Sequence, residues 1–583
     1  MMVALVVGSA VILLAAYRIY GPILARLFRL SDVDQTPAVT ERDDLDYAPL
    51  DKAPLLSQHF SAIAAAGPIM GPILAGAMFG WLPALLWILC GSILIGGVHD
   101  FGALVASVRH KGHSIAVVVR QHMSQRSFVL FLLFVWLALV YIIVAFTDVT
   151  ASSFVGIQKL EDGSSVSGAG IATSSLMYLV LPIAMGLVVR YGKISMERAT
   201  IIFLPLVGLA IWGGQKIPFD LGAWLQSIAP GMVGDNPDQA AHKAWDVLLL
   251  VYCAIASVVP LWLLLQPRGQ LGGWFLYAAL GAGAIGLIMG GAPVQLPAFR
   301  GWEPVEGKTL APVLFITIAC GACSGFHSLI ASGTTSKQLA KEGDSKPIGY
   351  GTMLLEAMVA IISLCCVMML AENSPLLEKP RPNFIYAQGI GAFLAKVGIN
   401  PQFGVAFALM AFTTFVYDTL DVCTRLGRYI VQELTGWQDA RGRWLGTILT
   451  AGTPFLFIMR TETDATGAPV PIWRAFWELF GASNQLLAAL TLMALTVWLW
   501  RTRRESWIWL VTGIPTVLMY VMSSWALIDI VKAKFAKGQT GDPVTWIAMV
   551  LIALAGLMLI EAFVALLRTD PLAPEAKPTP VAV

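Results

Sequence analysis

Charge is scarce in this sequence. Asp, Glu, Lys and Arg make up 13% of its 583 residues, about half of the roughly 25% that a soluble domain carries. The 38 basic and 36 acidic residues nearly cancel, leaving a net charge of +2, so the electrostatic footprint of a nucleic-acid-binding protein is missing. The seven cysteines (Cys90, Cys253, Cys320, Cys323, Cys365, Cys366 and Cys423) all lie in apolar stretches, which argues against a disulfide framework. Cys320 and Cys323 have the spacing of half a zinc site, but no second pair stands near them. They read as small membrane residues, and no metal is expected. G-x-x-x-x-G-K-[ST], G-x-S-x-G and H-E-x-x-H are also missing. ATP-driven work and hydrolase chemistry thus have no motif, neither enzymatic activity nor a cofactor is expected, and energy must come from an ion gradient.

Apolar length is what the chain has in abundance. It is 57% hydrophobic with a mean hydropathy of +0.73, the composition of an all-α polytopic membrane protein. Apolar windows separated by charged or Gly/Pro-rich breaks give about 15 transmembrane helices. Residues 2–28 read as the first of these rather than as a cleaved leader, being long and arginine-rich at the far end. With the N-terminus outside, most Lys and Arg fall in cytoplasmic loops, among them Arg26, Arg109, Arg268, Arg425 and Arg504. Fewer remain on the other side, chiefly Lys216, Arg300, Lys379, Arg381 and a cluster at Lys532, Lys534 and Lys537. An odd number of spans then puts the C-terminus in the cytoplasm, with 571–583 as a disordered tail.

Two apolar segments cannot be continuous helices. Residues 59–79 (HFSAIAAAGPIMGPILAGAMF) are long enough to cross a bilayer, for which about 20 helical residues suffice. Pro68 and Pro72 remove two backbone donors, and Gly67 and Gly71 weaken the same places. Residues 316–337 (ITIACGACSGFHSLIASGTTSK) carry Gly321, Gly325 and Gly333 among small and hydroxyl side chains. Interrupted helices survive at membrane depth where the freed backbone faces protein, an ion or a water-filled cavity, as at the binding sites of secondary transporters. Asp100 and Asp148 follow the first break, and Glu356 and Asp418 follow the second at comparable intervals. The two breaks run in opposite directions, which is the relation of an inverted five-plus-five repeat. The expected organisation is an extra helix at 1–30, a first repeat at 58–213, two inserted helices at 245–292, a second repeat at 311–500 and two helices at 507–567. Residues 114–126 suit a helix along the cytoplasmic interface, and 372–401 could dip back over the site; for each, an ordinary surface loop is the alternative.

Ionisable groups inside spans are costly and therefore functional candidates. His59 and His327 flank the two breaks. With Ala66, Gly67, Gly71, Ser324, Gly325 and Ser328 they are candidates to hold a substrate; the alternative is that the histidines only brace the breaks. Asp148 and Asp418, at matching places in the two repeats, stand with Thr413 and Thr414 as candidates for ion or proton coupling. The threonines serve equally as interhelical glue, and Arg425 and Arg428 are within reach of Asp418 and Asp421. Pro68, Pro72, His99, Asp100, Asn484 and Gln485 take structural or gating parts. His99-Asp100 reads as an interfacial ion pair or cap, and Asn484-Gln485 as packing against the broken helices.

Blocks spread over nearly the whole length carry a resemblance. They are His59-Phe60 leading into 66–72 (AGPIMGP), 98–101 (VHDF), 107–114 (SVRHKGHS), 318–328 (IACGACSGFHS), 332–338 (SGTTSKQ), 417–425, 429–434 and 479–487 (LFGASNQLL). On these the chain resembles the carbon starvation protein family of CstA-type transporters. The resemblance implies the LeuT-like core of the amino acid–polyamine–cation superfamily with extra helices, in a bacterial inner membrane. It also implies uptake of peptides during carbon starvation, or proton-coupled uptake of pyruvate, with H⁺ favoured over Na⁺. Ala65 departs from the glycine expected there. The function expected is import of a small carboxylate-bearing nutrient by alternating access; partners are that substrate and membrane lipid, with the oligomeric state open. A membrane nutrient sensor or scaffold is the competing class, which the lack of a soluble signalling domain in these residues weakens. A haem-bearing electron carrier using His59 and His327 ranks third.

Overall fold

The computed structural model describes residues 1–568 apart from 34, 44–45, 160–164, 234–235, 291, 379, 461, 464–468 and 540. The tail expected to be disordered, 571–583, lies outside the described residues. The protein is a nearly all-helical, multi-span membrane protein, because in lipid an apolar run must satisfy its own backbone. In chain order the helices used below are α1 (Met2–Leu27), α2 (Lys52–Ile63), α3 (Gly67–Phe79), α4 (Trp81–Arg109), α5 (Ile115–His122), α6 (Gln125–Ser152), α7 (Gly168–Gly192), α8 (Met196–Lys216) and α9 (Pro237–Val258). They continue as α10 (Leu265–Gly290), α11 (Leu310–Thr317), α12 (Gly325–Ile330), α13 (Thr352–Met368), α14 (Pro382–Lys396), α15 (Pro401–Thr435), α16 (Ala440–Ile458), α17 (Ile472–Arg503), α18 (Ile514–Ala536) and α19 (Pro543–Leu567).

Among the described residues, 12 helices are long and apolar enough to cross a membrane, and the bent pair α2–α3 brings the number to 13. Two further segments expected as spans are different in kind. α11 and α12 are short helices on either side of a break, and α16 is a continuous 19-residue helix that opens on Arg441 and Arg443. The apolar window of α17 is 100% buried, whereas those of α1 and α19 are 22% and 28% buried. Side chains such as Leu14 and Phe563 therefore stand out toward lipid, where exposure of apolar surface has no cost.

The chain forms two compact units. The first comprises Leu139–Leu296 and Cys365–Trp477 with Met1–Ala4; the second comprises Leu5–Ala138, Pro297–Leu364 and the chain from Glu478 onward. In the first unit α14 packs against α10 and α15, burying Phe384, Ile385 and Tyr386. The stretch 372–401 thus contributes a helix to the core of this unit rather than a surface loop. Two short hairpins, Ile157–Lys159 with Ser165–Ser167 and Glu462–Thr463 with Pro469–Val470, close loops of the same unit.

In the second unit Leu55, Ala103, Leu104, Val108, Ala331, Leu339 and Ile348 form one apolar cluster. It draws α2, α4 and the chain beyond α12 together. α5 lies in the 114–126 stretch as expected, with Ile115 to Val119 buried. Four helical segments of this unit contain wide π turns, at Ser92–Gly96, Ala331–Thr335, Lys346–Gly351 and Trp509–Gly513.

Candidate functional site

Both broken segments are broken in the fold. α2 and α3 meet at 44° across Ala64 to Ala66. Pro68 stands in the first turn of α3, where its missing N–H has no partner to lose. Pro72 is carried inside α3, so the chain interrupts once, before Gly67, and not again at the second proline. The second segment leaves helical geometry after Thr317 and resumes at Gly325.

The two breaks touch. A Cβ added to Gly67 would collide with Cβ and Sγ of Cys320, and one on Gly71 would meet the carbonyl oxygen of Thr317 at 2.5 Å. Only glycine lets the backbones come this close. Gly325 likewise backs onto the α17 backbone at Asn484 and Ala488. Asn484 Oδ1 accepts the Phe326 N–H at 2.9 Å, and its Nδ2 donates to Ser324 Oγ at 3.0 Å. It thereby satisfies backbone that α12 leaves open. Gln485 donates to the carbonyl of Phe315 in α11. Ser328 Oγ donates to the Gly325 carbonyl at 2.7 Å and meets Thr491 Oγ1 at 3.0 Å.

Around this junction sit five titratable side chains, none more than 1% exposed: His59, His99, Asp100, His327 and Glu356. His59 Nδ1 bonds Thr335 Oγ1 at 2.8 Å, and its Nε2 is buried without a hydrogen-bond partner. His327 Nδ1 lies 2.8 Å from Asp100 Oδ2, while His99 Nδ1 holds the other oxygen of Asp100 at 2.7 Å. His327 Nε2 faces Glu356 Oε2 at 3.3 Å, off hydrogen-bonding alignment, and neither Glu356 oxygen has a hydrogen-bond partner. Two carboxylates thus share one imidazole away from water, where charge persists only if it is paired. His99 and Asp100, assigned a structural or gating part from sequence, lie in the middle of this cluster. Glu356 was seen in the sequence only as a landmark of the repeat; its place inside an apolar span was the signal that it belongs to a site.

The first unit holds the other candidates. Arg268, expected in a cytoplasmic loop, is fully buried, because α10 starts at Leu265 and takes it inside. Its Nε lies 2.9 Å from Asp418 Oδ1, and its Nη1 contacts Asp421 Oδ2 and the Tyr252 hydroxyl. Tyr252 donates to the same Asp421 oxygen at 2.8 Å. Arg425 serves the carbonyls of Ala256 and Val259. Thr413 Oγ1 meets Ser175 Oγ at 3.1 Å, and Thr414 is buried beside it. Asp148 ends up with His242, whose Nε2 lies 3.2 Å from Asp148 Oδ1.

Asp148 also lines a cavity of about 490 Å³ in this unit, together with His242, Asp238, Lys243, Arg381, Arg460 and Arg474. Four permanent cations against two carboxylates make its lining basic.

The described residues define a multi-span membrane protein with a buried polar cluster where two interrupted helices touch. The chain belongs to the carbon starvation protein CstA family, whose profile matches residues 1–376 and 371–526. It is 32% identical over 588 residues to the peptide transporter CstA of Helicobacter pylori, covering 88% of this chain and 80% of that protein. It is 29% identical over 609 residues to the pyruvate/proton symporter BtsT of Escherichia coli, covering 90% and 81%. These relatives are transporters, and the chain is not an enzyme. Among solved structures, that of MhsT in complex with L-phenylalanine gives a TM-score of 0.49 at 12% identity, covering 89% of this chain and 99% of that one.

Proposed function

We propose that this chain imports a small carboxylate-bearing nutrient, a peptide or pyruvate, by alternating access and in symport with protons during carbon starvation. The observation that carries the reading is the junction of the two breaks, lined by His59 and by the cluster of Asp100, His327 and Glu356. Peptides and pyruvate, the substrates named for its relatives, have a carboxylate in common. The N-terminal end of α3 at Gly67 and the unpartnered Nε2 of His59 suit such an anion, since a helix N-terminus carries partial positive charge. No further cofactor is needed.

The coupling proton is assigned to His327 and the carboxylates of Asp100 and Glu356. Both ring nitrogens of His327 face carboxylate oxygens, so a proton gained or lost here changes the charge of the buried junction at which the substrate is placed. Asp148 and Asp418 fit the task less well, being engaged by His242 and Arg268. Segments 58–213 and 311–500 are taken as the inverted repeats that rock about the junction. The chain is placed in a bacterial inner membrane with its N-terminus outside and C-terminus in the cytoplasm. In that orientation the basic cavity opens outward and raises the local concentration of anions.

The test is uptake of labelled pyruvate against labelled di- and tripeptides in proteoliposomes, with imposed pH or Na⁺ gradients. An inward proton gradient should drive accumulation of one class, and Glu356→Gln should retain exchange while losing accumulation. Accumulation by Glu356→Gln at the wild-type level would remove the coupling assignment; no uptake of either class by the wild type would remove the transport reading.

A further inference from the structure

We propose that Asp148, His242 and Asp246 form a binding site for a divalent transition-metal ion of the zinc class, at one side of the basic cavity in the first unit. His242 and Asp246 are four residues apart on α9 and so share one face of the helix. Asp148 reaches them from α6. One donor atom from each lies within 4.8 Å of the others, a spread that small side-chain movements close to metal-ligand geometry.

The independent observation is Asp246. Its carboxylate is fully buried, and neither oxygen has a hydrogen-bond partner. An unmatched buried carboxylate is expensive unless a cation joins it. The neighbouring ammonium is turned elsewhere: Lys243 Nζ bonds the carbonyls of Ile458 and Arg460. Asp148 Oδ2 is occupied by the Trp473 N–H at 2.9 Å, which leaves Oδ1 toward His242. The Asp148 carbonyl oxygen, 3.1 Å from His242 Nε2, is a further oxygen at the same place.

The donor types select the ion. One imidazole and two carboxylates, with a fourth position left open, match zinc with three protein ligands. Calcium and magnesium prefer oxygen donors in larger number, without imidazole. Asp148 and His242 line the cavity, which gives the ion a way in and solvent for the fourth position. A bound ion would clasp α6 to α9 beside the basic lining. This inference stands whether or not the chain transports.

The experiment uses the full chain, purified in detergent and stripped with a chelator, then titrated with ZnCl₂ and, as control, MgCl₂. Metal content is read by mass spectrometry and thermal unfolding by intrinsic fluorescence. A single zinc ion should be retained per chain and should raise the unfolding temperature, with magnesium inert. Asp246→Asn should lose zinc affinity by about tenfold or more, yet in chelator it should be at least as stable as the wild type, because the unmatched charge is gone. His242→Gln provides a second variant that should lose the zinc response. Zinc stabilising all three proteins equally, or no zinc retained by the wild type, would overturn the assignment.

Discussion

Gly67 leaves no room for a side chain against Cys320: a Cβ placed on the glycine would overlap both Cβ and Sγ of the cysteine. The two helix breaks therefore touch at a position where only hydrogen fits. Gly67→Ala should lower stability by about 1–3 kcal/mol, the usual cost of overpacking. Removing the opposing side chain should relieve it, so the Gly67→Ala/Cys320→Gly protein should be more stable than the two single changes sum to. Thermal unfolding of the four proteins in detergent checks this; strict additivity would mean that the breaks do not press on one another.

Arg268 holds Asp418 and Asp421 together inside the first unit. Arg268→Met would leave two buried carboxylates facing each other, and breaking a buried pair by removing one partner costs about 3–5 kcal/mol. Asp418→Asn keeps the Arg268–Asp421 contact and should cost much less. Adding Asp418→Asn and Asp421→Asn to Arg268→Met should recover part of the loss. Unfolding midpoints order these variants, and a mild Arg268→Met would show that the arginine is not what keeps the acids in place.

His110 and His122 sit at the ends of α4 and α5 with their Nε2 atoms 3.2 Å apart. His110 Nδ1 donates to the Ala106 carbonyl at 2.6 Å, so with both rings neutral its Nε2 accepts from His122. Burial first, then the neighbouring His110 and Arg501, push His122 down to about 3 from the usual 6.5; burial also lowers His110. A base whose folded pKa is depressed is neutral when folded and takes a proton when unfolded. Its contribution to stability is complete above about 6.5 and is lost progressively as the pH falls from there toward 3. His122→Gln should flatten the acid limb of the stability curve between pH 6.5 and 4. An unchanged acid limb would place the titration elsewhere.

The sequence announces the breaks, because prolines and glycines in an apolar run leave no continuous helix to build. It does not announce which proline is absorbed: Pro72 stays inside α3 because one break before Gly67 already turns the chain. Asp100 looked interfacial through its nearness to Arg109, yet the 29-residue span Trp81–Arg109 keeps it well inside. Glu356 was visible as an acid in an apolar window but had no visible partner, since His327 comes from another segment of the chain. Arg268 was misplaced for a simpler reason, a helix start set too late by hydropathy. His242 escapes in the same way, because α9 begins at Pro237, ahead of the 245–292 window, whereas Asp246 falls inside that window and has no partner visible in the local pattern. Element type and membrane class follow from local pattern; which acid meets which base depends on contacts between distant segments, and no local period encodes those.

Three of the four wide π turns of the second unit, all but Trp509–Gly513, fall beside the groups that carry its polar cluster. Ser92–Gly96 precedes His99 and Asp100, Ala331–Thr335 follows His327 and ends on the threonine that holds His59, and Lys346–Gly351 leads to Glu356. A π turn widens a single turn of an α-helix and is frequent at functional sites. The residue it adds shifts the register of the side chains that follow, so each of these turns helps to set the direction in which the acid or histidine beyond it faces.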